Sequence, residues 1–289
     1  MPAEPPIELP GHLFAAYEVL ATAAAAGTPV TPIAGGTDLM VAITGELREP
    51  PARLLDLSRL DALRGIALEQ GALVIGARTT YTELRRSALV REHLPVLVEA
   101  AATIGAAQIQ NRGTIGGNVA NASPAGDTLP ILLAADAIVL VGGQRGEREI
   151  AAADFFTGYR QTALAPDELI LQVRVPLPKG RQVRFRKVGT RRAQAISKVV
   201  LALAWRDVGD AGWADVRLAL GSVAPTPVRA PATEAVLEGA HPTPEVADRA
   251  AEALANELAP IDDVRSTADY RRTVSARVLH RLLREAGGW

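Results

Sequence analysis

An α+β protein in two parts is what the 289 residues predict, and three observations predict it. Helix-spaced and strand-alternating segments interleave as far as Val175. A proline break, Pro176-Leu177-Pro178-Lys179-Gly180, comes next. Beyond it, three strand-like runs precede two helical ones, the pattern of a helix layer on a sheet. The break puts the boundary between residues 1–177 and 178–289.

The elements follow in order. Leu13, Ala16, Tyr17, Leu20 and Ala24 keep helical spacing, and Gly27 offers the stop. The alanines Ala23–Ala26 are read as helix surface. Val30–Ala34 and Leu54–Leu57 are expected to be short strands. Ile66–Leu68 and Leu73–Ile75, separated by a loop containing Gly71, predict a hairpin. Leu94, Leu97, Val98, Ala101 and Ile104 mark an amphipathic helix ending at Gly105, and an apolar segment runs from Leu129 to Val141. Leu169, Leu171, Val173 and Val175 alternate with Ile170, Gln172 and Arg174 as a strand. After the break come strands at Val183–Val188, Val199–Trp205 and Val216–Leu220, then helices at about Pro244–Leu258 and Tyr270–Leu283.

Composition narrows the function classes. Hydrophobic residues at 48% and charged residues at 22% are ordinary for a folded domain, and 289 residues suffice for two. A formal net charge of −1 gives no general attraction to nucleic acid or an anionic membrane. No apolar run approaches the ~18 residues of a spanning helix, and Met1–Pro10 lacks the basic start of a secretory signal. A cytoplasmic location without membrane insertion is the expectation. The chain has no cysteine, so it offers no disulfide and no thiolate for an iron–sulfur cluster or structural zinc. His12, His93, His241 and His280 are scattered without ligand spacing, and no metal site is expected. Any redox chemistry must therefore be carried by an organic cofactor.

The nicotinamide Gly-x-Gly-x-x-Gly fingerprint, the Gly-x-x-x-x-Gly-Lys-Ser/Thr loop, Gly-x-Ser-x-Gly and His-Glu-x-x-His are all missing. Asp262-Asp263 reads as solvated charge or a helix cap. What stands out is a pair of glycine segments about 80 residues apart: Pro32-Ile33-Ala34-Gly35-Gly36-Thr37-Asp38 and Thr114-Ile115-Gly116-Gly117-Asn118. Glycine lets a backbone take positive φ and come close to a ligand. Successive N–H groups in such turns suit phosphate oxygens. Two facing turns could hold a diphosphate without lysine or arginine, helped by Thr37, Thr114 and Asn118. Asp127 then suits a sugar hydroxyl. Read alone, Asn118 and Asp127 serve equally well as loop residues bonding their own backbone.

These residues carry a resemblance. Ala34-Gly35-Gly36-Thr37-Asp38-Leu39, with the run from Thr114 to Asp127, resembles the FAD-binding (medium) subunit of the molybdenum hydroxylases, the xanthine dehydrogenase and carbon monoxide dehydrogenase family. The similarity spans the whole chain, including Pro166–Ile170 and Phe185–Arg191; the continuation to Val199 is closer to the xanthine dehydrogenase-like branch. The resemblance implies a PCMH-type FAD-binding fold of two subdomains, about 1–57 and 58–177, plus a smaller C-terminal α+β domain. It implies that Ile33 to Leu39 and Gly113, Thr114, Gly116, Gly117 and Asn118 wrap the pyrophosphate, joined by Ala120, Asn121 and Asp127. Ile104, Ile109 and Ile170 would be apolar contacts to the ring systems, although plain core serves as well for them. Lys187 would sit near the flavin, or be an exposed strand lysine. Gln110 stands where many relatives have arginine, and Ile104 where some have an aromatic. No catalytic residue is assigned.

The cofactor expected is noncovalent FAD, since no histidine lies in either glycine segment. The function implied is an electron-transfer subunit, receiving electrons from an iron–sulfur small subunit and passing them to NAD, a quinone or oxygen. A molybdenum-binding large subunit would complete the complex, as a dimer of heterotrimers. Two alternatives stand beside it: a self-contained flavin oxidase of the same fold, and a scaffold protein that has lost FAD.

Overall fold

A computed structural model describes residues 5–45 and 49–289. The first four residues of the Met1–Pro10 segment lie outside the described residues. The N-terminal unit is a parallel sheet in the order β1-β3-β2, built from β1 (Ile7–Glu8), β2 (Thr31–Ile33) and β3 (Leu54–Asp56). Helix α1 (Leu13–Ala25) starts where His12 accepts the Ala15 amide and packs inward through Ala16, Leu20 and Ala23. Of the alanines read as helix surface, Ala24, Ala25 and Ala26 are exposed, whereas Ala23 is buried. At 3.6 residues per turn, position i+7 keeps the inward heading that i+8 has passed. Helix α2 (Thr37–Thr44) follows the first glycine pair.

The second unit is a five-stranded antiparallel sheet, β4-β5-β10-β6-β7, made of β4 (Ile66–Glu69), β5 (Ala72–Gly76), β6 (Ile138–Gly143), β7 (Gly146–Ala151) and β10 (Leu169–Pro176). Its helices are α3 (Tyr81–Arg86), α4 (Ala88–His93), α5 (Pro95–Thr103), α6 (Ala107–Arg112), α7 (Ile115–Asn121), α8 (Leu129–Ala134) and α9 (Ala152–Phe155). A small hairpin, β8 (Phe156–Gly158) and β9 (Gln161–Thr162), stands apart from the main sheets. The apolar run Leu129–Val141 divides into α8 and β6, with Asp136 turning the corner at φ +51°. The register of β10 against β6 shifts between Ile170 and Gln172, where one bulge residue is inserted. Leu169 and Leu171 therefore join the core of α1, while Ile170, Val173 and Val175 face the core of α3–α8. The expected single face through Leu169, Leu171, Val173 and Val175 is corrected by that bulge, which flips the side chains beyond it.

The third unit is the antiparallel sheet β11-β12-β13-β14: β11 (Arg181–Val188), β12 (Val199–Asp207), β13 (Trp213–Gly221) and β14 (Val228–Arg229). Helices α10 (Pro231–Leu237), α11 (Pro244–Glu257) and α12 (Ala268–Gly287) complete it. Val199 through Trp205 are all buried, which explains why this strand reads as an unbroken apolar run rather than an alternation. Val200, Ala202, Ala204 and Ala219 face the second unit, where α8 lies on β12 and β13. Leu201, Leu203, Trp205, Leu218 and Leu220 face α10–α12. Small side chains on the first face let α8 come close. The Trp205 and Trp213 rings stack with centroids 4.4 Å apart, and Trp289 donates its indole N–H to the Pro242 carbonyl at 2.5 Å. Asp262 and Asp263 organise the entry to α12: Asp262 accepts the Ala268 amide, and Asp263 accepts the Ser266 amide and the Arg271 guanidinium.

Candidate functional site

The two glycine segments touch. A Cβ on Gly35 would stand 1.9 Å from the Arg112 carbonyl oxygen and 3.1 Å from the Gly113 Cα, so only hydrogen fits there. Gly36 takes φ +74° and starts α2 with no side-chain cap. The first amides of a helix have no carbonyl one turn back, and the helix dipole makes that end favourable to an anion. Gly113 lies against the Tyr81 ring, and its carbonyl accepts the Tyr81 amide at 3.1 Å.

The second glycine pair corrects the sequence reading. Gly116 and Gly117 lie inside α7 and have no positive φ. Their amides are already spent: Gly116 N–H donates to the Ala77 carbonyl at 2.9 Å, and Gly117 N–H to the Thr114 hydroxyl that caps α7, at 3.1 Å. Gly116 is needed for packing, since a Cβ there would meet the Ala77 Cβ at 2.6 Å. Gly117 is exposed, and a Cβ on it would meet only the Thr114 hydroxyl at 2.9 Å.

Between the segments lies a cavity of about 450 Å³, lined by Ile33, Ala34, Gly35, Gly36, Thr37, Asp38 and Leu39 on one side. Gly113, Thr114, Gly117, Asn118, Ala120 and Asn121 form the facing wall, with Arg160, Leu164, Ala165, Pro166 and Glu168 on a third. Gly116, Ile104, Ile109, Asp127, Ile170 and Lys187 do not line it. Ile104 ends α5, its carbonyl accepting the Gln110 side-chain Nε2 at 3.0 Å; Ile109 packs on Gly105; Ile170 is core. Gln110 is buried, and the Arg85 guanidinium donates to its Oε1 at 2.5 Å.

Asp127 and Lys187 form a buried pair, Nζ to Oδ2 at 2.6 Å, and the Ser197 hydroxyl donates to the other carboxylate oxygen. The pair joins the α7–α8 loop to β11. Burial pushes the Asp127 carboxyl above its ordinary range, against the opposing pull of Lys187 and Ser197. Both oxygens of Asp127 thus have protein partners.

Donors do converge on the cavity. Asn118 receives the Thr128 hydroxyl on its Oδ1 at 2.6 Å, which leaves its Nδ2 amide without a partner among the described residues. The Tyr81 hydroxyl is buried, with Thr128 beside it but no partner in hydrogen-bond geometry. Burial, then Asp38 and Asp127, push that phenol far above its ordinary value, so it stays a neutral donor. The Arg160 guanidinium donates to Asn121 Oδ1 at 2.6 Å, and Asn121 Nδ2 to Asp38 at 2.9 Å. An uncapped helix start, the unpartnered Asn118 amide and a wall closed to any Cβ fit a ligand bearing phosphate oxygens. Sequence reasoning missed Tyr81, Arg160 and Ser197. The Thr80-to-Glu83 capping box marks the helix that Tyr81 begins, and Gly158-Tyr159-Arg160 has the look of a turn. Among the described residues no acidic or histidine cluster could hold a metal, and no helix is long and apolar enough to cross a membrane.

Residues 8–178 match the family described as the FAD binding domain in molybdopterin dehydrogenase, and residues 184–286 match the CO dehydrogenase flavoprotein C-terminal domain. The carbon monoxide dehydrogenase medium chain of Hydrogenophaga pseudoflava is 32% identical over 93% of both chains. The xanthine dehydrogenase FAD-binding subunit of Escherichia coli O157:H7 is 30% identical over 89% of both. A solved structure of the Hydrogenophaga pseudoflava carbon monoxide dehydrogenase that lacks the Mo-pyranopterin moiety superposes with a TM-score of 0.93, at 32% identity, covering 100% of this chain and 99% of that one.

Proposed function

Since this chain belongs to the family of FAD-binding domains of molybdopterin dehydrogenases, we propose that it is the flavin-carrying subunit through which a molybdenum hydroxylase complex passes its electrons onward. The observation that carries the reading is the contact of Gly35 with the Arg112–Gly113 backbone, which forms a donor-lined cavity between the two glycine segments. Bound there, FAD supplies the electron-carrying group. The chain's own residues do the rest. The start of α2, the Thr37 hydroxyl and the Asn118 amide hold phosphate oxygens, and Leu39, Leu164 and Pro166 exclude water. Ile104, Ile109, Ile170 and the Asp127–Lys187 pair lie outside that wall.

Full-length similarity to chains named as a medium chain and an FAD-binding subunit favours a subunit over a self-contained oxidase. The partners would be an iron–sulfur subunit and a molybdenum-cofactor subunit, because a chain with no cysteine cannot hold the clusters that feed a flavin. The complex would be a dimer of heterotrimers. The segment from Phe185 to Val199 supports the xanthine dehydrogenase-like branch, and relatives of both branches match almost equally, at 30% and 32% identity. NAD, a quinone or oxygen would take the electrons.

The test is purification of the chain with its co-expressed partners, followed by acid precipitation and metal analysis. FAD released wholly to the supernatant, with iron and molybdenum in the complex, is the expected result. Colour retained in the pellet, released FMN, or full turnover by a metal-free monomer would overturn it.

A further inference from the structure

We propose that Arg160 is the cation that neutralises the cofactor's diphosphate, a role resting on the reading of the cavity as the FAD site. Three charged side chains line that cavity: Asp38, Glu168 and Arg160. Glu168 is held by Arg148 through two bonds of 2.8 Å. Asp38 lies in the first turn of α2 and adds negative charge beside the helix end that favours an anion. Arg160 is therefore the only cation on the wall among the described residues, and a dianionic group placed there needs it.

The backbone supports the same role. Gly158 pairs with Gln161, so Tyr159 and Arg160 are the two central residues of the turn between β8 and β9. Arg160 adopts φ +54°, at the turn position where glycine or asparagine is the unstrained choice. Arginine stands there against local preference, and its side chain lines the cavity. Its guanidinium reaches back to Asn121, and Asn121 in turn reaches Asp38, so the hydrogen-bond chain ends on the first turn of α2. That tether is to a neutral amide and uses one of the five N–H donors of the guanidinium, leaving the rest for a stronger, charge-assisted partner.

The experiment uses the full chain and titrates FAD into Arg160→Gly and Arg160→Lys, alone and in an Asn121→Ala background, at low and high ionic strength. Glycine suits φ +54°, so Arg160→Gly should unfold at the wild-type denaturant concentration or above it. Its FAD affinity should nonetheless fall about 10- to 100-fold, the cost of one charge-assisted bond. The salt dependence of binding should flatten with it. Arg160→Lys should recover part of the loss, and the loss should persist in the Asn121→Ala background. Wild-type affinity in Arg160→Gly, or a loss that vanishes when Asn121 is already removed, would overturn the assignment. If the wild-type chain itself binds no FAD, the cavity reading falls, and this inference with it.

Discussion

Gly116 and Gly117 are neighbours that answer to different atoms. A methyl on Gly116 would strike both the Cβ and the carbonyl oxygen of Ala77, at 2.6 and 2.7 Å. Gly116→Ala should therefore cost stability, about 1–3 kcal/mol by overpacking, read by urea denaturation. Gly117→Ala meets only the capping hydroxyl of Thr114, so it should cost about 1 kcal/mol at most, while placing a methyl on the cavity wall and weakening FAD binding in a titration. Flavin loss in the Gly116 variant without any loss of stability would reverse these roles. Lys187 gives a pH-dependent case. Lys187→Met removes the strongest pull holding the Asp127 carboxyl down, so its folded pKa rises further above the unfolded value. Stability linked to a raised acid pKa is fully present below the unfolded pKa and is lost as pH rises through the folded one. The variant's deficit against wild type should therefore be greatest at neutral and alkaline pH, on the order of 3–5 kcal/mol, and shrink in acid. Denaturation at a series of pH values measures it, and a deficit flat across pH would remove the ion pair from the account.

Helix α7 shows what one hydroxyl does for an element. Thr114→Ala removes the side-chain cap and frees the Gly117 amide, at a cost of about 1 kcal/mol in urea denaturation. A change well under that would mean water replaces the cap without loss. Much of the element order was readable beforehand: α1, the β4–β5 hairpin, α5, β10 to β13, α11 and α12 are long or strongly patterned and bounded by glycine or proline. Helices α3, α4, α6 and α9 have four to six residues, too few to display a period. Helix α7 was hidden for another reason, because paired glycines are poor helix formers and only the close approach to Ala77 selects them. The bulge in β10 left no local mark, since Leu169, Ile170 and Leu171 are all apolar and either face would accept them. The glycine walls of the site could be seen in the sequence because glycine states a backbone need. Tyr81 and Arg160 reach the same cavity from a distant helix start and a hairpin turn, and that convergence exists only in three dimensions.

At the scale of the whole molecule, the central strand β12 is buried on both faces, one of them by the second unit. Val200, Ala202, Ala204 and Ala219 share a core with Ile131, Val139 and Val173. Asp136 on the second unit also takes Arg181 at 2.9 Å and Arg217 at 3.2 Å from the third. A fragment of residues 1–180 should therefore expose a large apolar face and aggregate when expressed alone, and co-expression with residues 181–289 should restore solubility, as size-exclusion chromatography would show. A soluble, monodisperse fragment would mean that the shared core contributes little. The placement of tryptophan offers a separate view of that coupling. All three, Trp205, Trp213 and Trp289, belong to the β11–α12 unit, whereas Tyr81 is the aromatic residue on the cavity wall. Indole emission thus follows one half of the chain and flavin absorbance the other, so a single melt carries two clocks. With the interface shared as it is, the two should stop together.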